Sequence, residues 1–336
     1  MSERMHLKER FLKAAGWQDA QRNVIAGDAS NRRYERLAQT DRTAILLDAP
    51  PETGEQVAPF LSVAGHLARL GVSTPKILFA DPQHGYVLLE DLGDDLFARV
   101  LKNSPAQEHQ LYKAAVDLLV ALQAAPVPDG FQSYDAQTMT ETALLLDEWY
   151  LPAASGTASP VEFRETLSNM LSDLLESTTP TNPVIVHRDF HAENLLWLPN
   201  RRGIAAVGVL DFQDAMAGSP VYDLASLLAD ARRDVSQETR ETVSTYFLDK
   251  TGHDPEKFQR NYAIVSVQRN LRIMGVFARL CVRDKKRGYP DLMPRVWANL
   301  KNDLQHPAMT DLASLIDEHV PTPSQNVLRR IKSDHV

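Results

Sequence analysis

Cysteine is nearly absent from this 336-residue chain, where Cys281 stands alone. It has no partner for an intrachain disulfide or a cysteine-based metal site, which suits a reducing compartment and leaves a small apolar side chain whose role is packing. Long apolar runs are missing too. No stretch approaches the roughly 18 consecutive apolar residues of a membrane span. The N-terminal MSERMHLKER carries charge where a signal peptide places its apolar segment. The expectation is a cytoplasmic protein without a membrane anchor. There is no basic excess: 36 Lys and Arg stand against 44 Asp and Glu, a formal charge of −8, and this disfavours nucleic acid as a partner. What is present is an ordinary globular mixture, 43% hydrophobic and 24% charged, which excludes collagenous, low-complexity and disordered chains.

Periodicity divides the chain. The first 16 residues read as a short helix, and period-two segments follow at 23–26, 33–38 and 43–48, the last two joined by a hairpin at Gln39–Arg42. Val57, Phe60, Leu61, Ala64, Leu67 and Ala68 then recur at helical spacing, and Gly71 closes that helix before strands at Lys76–Ala80 and Tyr86–Glu90. The connections are too short for parallel crossovers, so residues 17–90 predict an antiparallel sheet of about five strands carrying one helix. After Leu92-Gly93 helical patterns occupy 106–124, 138–150 and 161–176, followed by a β island at 184–186, 195–198 and 205–210. Helices resume at Tyr222 and run to Leu315, while the polar stretch after Pro321 is expected to fray.

Between two of these predicted strands lies His187-Arg188-Asp189-Phe190-His191-Ala192-Glu193-Asn194, which fits H-R-D-x-x-x-x-N, the pattern of a protein-kinase catalytic loop. Asp211 follows Asn194 by 17 residues, at the end of the apolar run Val207-Gly208-Val209-Leu210. Phosphoryl transfer needs one carboxylate to take a hydroxyl proton and oxygen ligands to hold Mg²⁺ on ATP. Asp189 is the candidate base; Asn194 and Asp211 are the candidate metal ligands. The fold class is accordingly α+β, a protein-kinase-like two-lobed arrangement. Residues 1–92 form the N-terminal nucleotide-binding lobe, an antiparallel sheet, and residues 93–336 the larger, mainly helical lobe for catalysis and substrate binding, with ATP between them.

VHRDFHAENLLW followed by GVLDFQDAMAGSPVYDLASLL resembles the aminoglycoside phosphotransferase and choline kinase superfamily, whose members phosphorylate small molecules on a kinase-like fold. The resemblance implies that Asp211-Phe212-Gln213-Asp214 is the family's D-x-x-D metal segment. It also gives Asp223 a role in bracing the catalytic loop, beside which stands the alternative of an ordinary acid in a helix first turn. GDASNRRYERL at 27–37, DAPPE at 48–52, LLEDLGD at 88–94 and QRNLRIMGVFARL at 268–280 resemble one branch of that superfamily, the anomeric kinases of N-acetylmuramate and N-acetylglucosamine in cell-wall recycling. This implies a small-molecule sugar as the partner and leaves the oligomeric state open.

Peripheral elements have their own chemistry. Gly27, Ser30 and Asn31 lie between two strands, where backbone amides and a hydroxyl can cover ATP phosphates, although a plain hairpin turn fits as well. Glu90 to Leu92 joins the two halves and can offer a carbonyl and an amide to adenine, with its side chains poorly constrained. The third strand, Thr43-Ala44-Ile45-Leu46-Leu47-Asp48, lacks the lysine that a kinase presents to the α- and β-phosphates. Arg32, Arg33 and Arg36 are the candidate substitutes, with Arg32 and Arg36 on one strand face and Arg33 on the other. Without that lysine, Glu55 reads as surface charge.

Arg269, Arg272, Arg279 and Arg283 fall within a helical sector of roughly 80°. Apolar residues accompany them on both sides, so this helix is expected to be covered, and covered arginines need anionic or carbonyl partners. Either substrate anions bound by Arg269, Arg272 and Arg279 or ion pairs with neighbouring helices meet that need. An aminoglycoside antibiotic as acceptor and a nucleotide-binding pseudokinase are the competing functions.

Overall fold

The computed structural model describes residues 3–25 and 31–333. Gly27 and Ser30, expected in the phosphate loop, lie outside the described residues. The chain forms two units, one from Met1–Pro105 with Glu193–Ala215 and the other from Ala106–Ala192 with Met216–Val336. A single cut at residue 92 does not reproduce this division. The antiparallel hairpin of Leu195–Trp197 and Val207–Val209 packs with the first unit because Val209 N–H donates to Ser73 O at 2.8 Å and Trp197 N–H to Asp95 O at 2.7 Å.

In the first unit, α1 (Glu3–Ala14) precedes β1 (Gln21–Ile25), β2 (Arg33–Ala38) and β3 (Thr43–Asp48), then α2 (Ala58–Arg69), β4 (Ile77–Asp81), β5 (Tyr86–Glu90) and α3 (Phe97–Asn103). The sheet order is β1-β2-β3-β5-β4, all neighbours antiparallel, as the short connections require. Alternation sends Leu37, Ala44, Leu46, Tyr86 and Leu88 to the face covered by Phe11 and Leu12 of α1. Asp48 shares that face. It is 1% exposed and meets Arg4 at 3.0 Å and Lys8 at 3.2 Å, so the acid that ends the third strand is a partner of α1 rather than a misplaced phosphate ligand.

The second unit contains α4 (Glu108–Ala124), α5 (Ala136–Ala143), α6 (Leu151–Ser155) and α7 (Val161–Glu176), followed by α8 (Tyr222–Leu228), α9 (Gln237–Thr251) and α10 (Pro255–Val282). Three more complete it: α11 (Met293–Asp303), α12 (Thr310–His319) and α13 (Gln325–Lys332). The expected helix over 138–150 divides into α5 and a π-helical turn, Leu146–Tyr150. There α10 comes close: a Cβ on Gly275 would lie 2.2 Å from the carbonyl carbon of Leu145, so glycine alone permits the approach. The β island is two separate pairs, the second joining Val184–Val186 to Met216–Gly218. That last strand escapes periodicity because it is only three residues long and ends in glycine. Nor does the described part of the segment after Pro321 fray. Ser324 caps α13 by accepting the Val327 N–H, and Leu328 and Ile331 are buried.

Candidate active site

The buried strand Val184–Val186 delivers the loop that opens at His187. Asp223, in the first turn of α8, fixes its backbone: Oδ2 accepts the His187 N–H at 2.6 Å and Oδ1 accepts the Arg188 N–H at 3.0 Å. Of the two roles open to Asp223, these contacts are those of a brace. Burial raises its carboxyl pKa, opposed by His187 and by the two amide bonds. The clamp holds Arg188 in the left-handed region at φ 77°, a conformation about 1–2 kcal/mol unfavourable for an L residue and one that persists where surroundings over-determine it. Asp189 N–H then donates to His187 Nδ1 at 3.2 Å, and Ala192 N–H to Asp230 Oδ2 at 3.3 Å.

Asp189 is half-buried at the centre of this loop. Burial pushes its pKa up, but the surrounding cations, Arg272 foremost, outweigh burial and hold the carboxyl below its ordinary range. His191 supplies little of that charge, since burial depresses its own pKa to about 4 and leaves it neutral at pH 7. Arg272 stays protonated: burial opposes its charge, and Tyr222, Tyr134 and Asp189 favour it. Those tyrosines meet edge to face with centroids 5.1 Å apart, and the Arg188 guanidinium stacks 4.9 Å from the Tyr134 ring centre. The result is a carboxylate whose ionised form is favoured by the cations around it. Of the other arginines on α10, Arg269 is 2% exposed and donates to Ala229 O at 3.1 Å. Arg279 is half-buried, and Arg283 is exposed and bonded to Asp284 at 2.7 Å. The expected covered stripe therefore ends before Arg283, at the end of α10.

In the first unit the hairpin brings Asn194 and Asp211 to one end, because Leu210 N–H donates to Asn194 O at 2.9 Å. Asp211 is the second strained residue, at φ 59°. Behind it Phe212 is fully buried and stacks on Phe60 of α2 with centroids 4.9 Å apart. Gln213 Nε2 donates to Asp211 Oδ1 at 2.8 Å and to Asp214 Oδ2 at 3.2 Å, tying the two carboxylates together. Among the described residues no cluster of three or more His, Cys, Asp or Glu could hold a metal alone. The donor set nevertheless fits Mg²⁺, a hard cation that takes one or two carboxylate or amide oxygens and completes its shell with phosphate oxygens and water.

Arg32, a candidate substitute for the absent lysine, pairs with Glu55. Arg32 Nε donates to Glu55 Oε2 at 2.8 Å, and the Asn31 N–H donates to Glu55 Oε1 at 3.1 Å. Glu55 is thus an ion-pair partner, not surface charge; with no lysine in the third strand, spacing alone gave no sign of it. Tyr34 joins them: burial pushes its hydroxyl up to about 12, and Arg32, Asp211 and Glu55 all act on it. Arg36, on the same strand face, is committed to Asp91 and Asp94, each at 2.9 Å, and Arg33 is exposed. At the expected adenine strand, Glu90 N–H donates to Lys76 O at 2.8 Å, whereas the Leu92 N–H has no partner among the described residues. The Glu90 side chain is constrained after all, by Arg201 at 2.8 Å. Leu92 packs under Gly208, where an added Cβ would lie 3.4 Å from Leu92 Cδ1 and 3.1 Å from Leu196 Cβ. Tyr134 lies in no quoted motif, and Tyr34, Gln213 and Tyr222 fall within motifs whose readings gave these residues no role.

Known proteins match this arrangement. The profile of the phosphotransferase enzyme family matches residues 22–258. The N-acetylmuramate/N-acetylglucosamine kinase of Caulobacter vibrioides is 36% identical, over 96% of this chain and 99% of its own length. The protein of the same name from Pseudomonas aeruginosa is 33% identical over 92% of each chain. Among solved structures, a choline/ethanolamine kinase family protein from Mesorhizobium loti superposes with a TM-score of 0.62 at 15% identity, covering 98% of both chains, and shares the kinase-like fold.

Proposed function

The chain belongs to the phosphotransferase enzyme family, and from that premise we propose that it is a sugar kinase acting on N-acetylmuramate and N-acetylglucosamine. It takes ATP as donor in the presence of Mg²⁺ and transfers the γ-phosphoryl group to the anomeric hydroxyl. The observation that carries the chemistry is Asp189, ionised beside Arg272 on a loop clamped by Asp223. The choice of acceptor is supported by the names of the two relatives.

Asp189 accepts the acceptor hydroxyl proton as its oxygen bonds to the γ-phosphorus and the bond to the ADP oxygen breaks. Proton transfer of this kind is worth about 10²- to 10⁴-fold. Arg32, oriented by Glu55, holds the triphosphate in place of the usual lysine, since a guanidinium makes paired bonds to phosphate. The carbonyl of Glu90 and the N–H of Leu92 hold adenine. Asn194 and Asp211 would hold Mg²⁺, which when bound neutralises charge on the transferring group. Arg272 and Arg279 oppose a polycationic aminoglycoside, and Asp189, Asn194, Asp211 and the Arg32–Glu55 pair together disfavour a pseudokinase.

Phosphorus NMR of the product tests the assignment. An acid-labile phosphate coupled to the anomeric proton of either sugar is the expected result. A 6-phosphate, or turnover of aminoglycosides without turnover of the N-acetyl sugars, overturns it.

A further inference from the structure

We propose that Arg279, with Arg272 before it on α10, forms an anion subsite that reads a carboxylate on the acceptor, so that the acidic and the neutral amino sugar are told apart at Arg279. The inference rests on the sugar-kinase reading and names the residue that its two acceptors engage differently. Seven residues at about 100° each return to within about 20° of the same direction, and the axial separation is about 10 Å. Arg272 and Arg279 thus stand on one face of the helix, two turns apart. Arg272 is the one in the field of Asp189. Gly275 lies between them, and its lack of a side chain brings the backbone of Leu145 and Leu146 against this face. The π-helical turn Leu146–Tyr150 is thereby placed alongside, with Glu148 exposed.

The arginines of α10 differ in their partners. Arg269 gives one N–H to a backbone carbonyl although its Nε too is enclosed and unsatisfied, and Arg283 is paired with Asp284. Arg279 is half-buried and its guanidinium has no hydrogen-bond or ion-pair partner among the described residues, with Nε enclosed and unsatisfied. Its electrostatic neighbours leave it under-compensated: burial, Arg283 and Arg272 all disfavour its charge, and Asp284 and Glu148 do not make up the difference. A guanidinium in that position gains most from an anion brought by a ligand. N-acetylmuramate differs from N-acetylglucosamine by a lactyl ether on the ring carbon two positions from the anomeric one, so its carboxylate lies to one side of an anomeric oxygen held at Asp189.

The test compares both sugars in the full-length wild type, Arg279→Gln and Arg279→Lys. In Arg279→Gln the KM for N-acetylmuramate is expected to rise about 10- to 100-fold, as for loss of a charge-assisted bond, while kcat/KM for N-acetylglucosamine falls at most about threefold. Arg279→Lys recovers part of the preference. With the wild type alone, added lactate should raise the KM for N-acetylmuramate and leave that for N-acetylglucosamine within about twofold, a measurement independent of how well any variant folds. Equal losses on both sugars, an unchanged ratio, or a rise in the KM for ATP instead would overturn the inference while leaving the sugar-kinase reading intact. A wild type that phosphorylates neither sugar would remove that reading, and the subsite with it.

Discussion

Asp189 and Asp211 are the same side chain in different surroundings, and the roles proposed for them differ accordingly. Each sits at or beside a residue forced into the left-handed region, Arg188 in one case and Asp211 itself in the other. Asp189 lies in the field of guanidinium groups, Arg272 ahead of Arg269. Asp211 faces an amide, Gln213, which ties it to a second carboxylate, Asp214. A carboxylate whose counter-charge is already supplied by arginine has no need of a metal and stays ionised for proton transfer. One joined through an amide to a second acid suits the proposed role of a ligand to Mg²⁺. The motif gives two aspartates; their neighbours differ, and the proposed roles follow that difference.

The largest expected effect comes from removing the charge of each acid in turn. Asp189→Asn should lower kcat by about 10²- to 10⁴-fold with ATP affinity and the Mg²⁺ concentration for half-maximal rate nearly unchanged. Asp211→Asn should lower it by roughly 10²- to 10³-fold and shift that Mg²⁺ requirement upward. Single-turnover rates against Mg²⁺ concentration distinguish them, and identical profiles would break the comparison. Because the Asp189 pKa lies below the ordinary carboxylate range, the acid limb of its pH–rate profile should lie below that range as well. Arg272→Gln removes the first of the opposing cations and should move that limb upward.

A smaller effect is expected at the brace. Asp223→Ala leaves the buried His187 and Arg188 amides without their acceptor, at a cost of about 1–3 kcal/mol for each unsatisfied group. It also frees Arg188 to relax from its strained conformation, displacing Asp189. The expected outcome is a lower melting temperature together with a kcat loss of roughly 10- to 100-fold, since displacement by about 1 Å is worth that much. Loss of stability with full kcat in the folded fraction would show that the clamp supports the fold and not the base.

How much of this was legible in the chain depended on whether the chemistry is local. His187 through Asn194 and Asp211 stand out because metal and proton chemistry constrain residue type at fixed spacing. The five-strand sheet was legible because a half-buried strand alternates and short connections forbid crossovers. Asp223 kept two readings, since its partners are backbone amides 36 and 35 residues earlier. The π-helical turn, the strand Met216–Gly218 and α13 were not legible. The first depends on a glycine in another helix, the second is too short for a period, and α13 buries only Leu328 and Ile331 behind a polar surface.

Arg32 and Glu55 give the smallest effect and the sharpest test of how the phosphate side is built. A kinase places its phosphate cation in the third strand, where a helix glutamate orients it; in the proposed arrangement the cation comes from the residue before β2, and the acid from the segment before α2. If Glu55 acts only by orienting Arg32, the two substitutions cannot add. Arg32→Gln removes the charge itself and should raise the KM for ATP by about 10-fold or more, the value of a charge-assisted bond. Glu55→Gln leaves the guanidinium charged but less well held, and a rise of about three- to fivefold is expected, as for a partly exposed ion pair. In the double variant the KM should match that of Arg32→Gln alone, because residues acting through one another show coupling and not additivity. A double variant whose loss is the product of the two singles would mean that Glu55 serves ATP by a separate route.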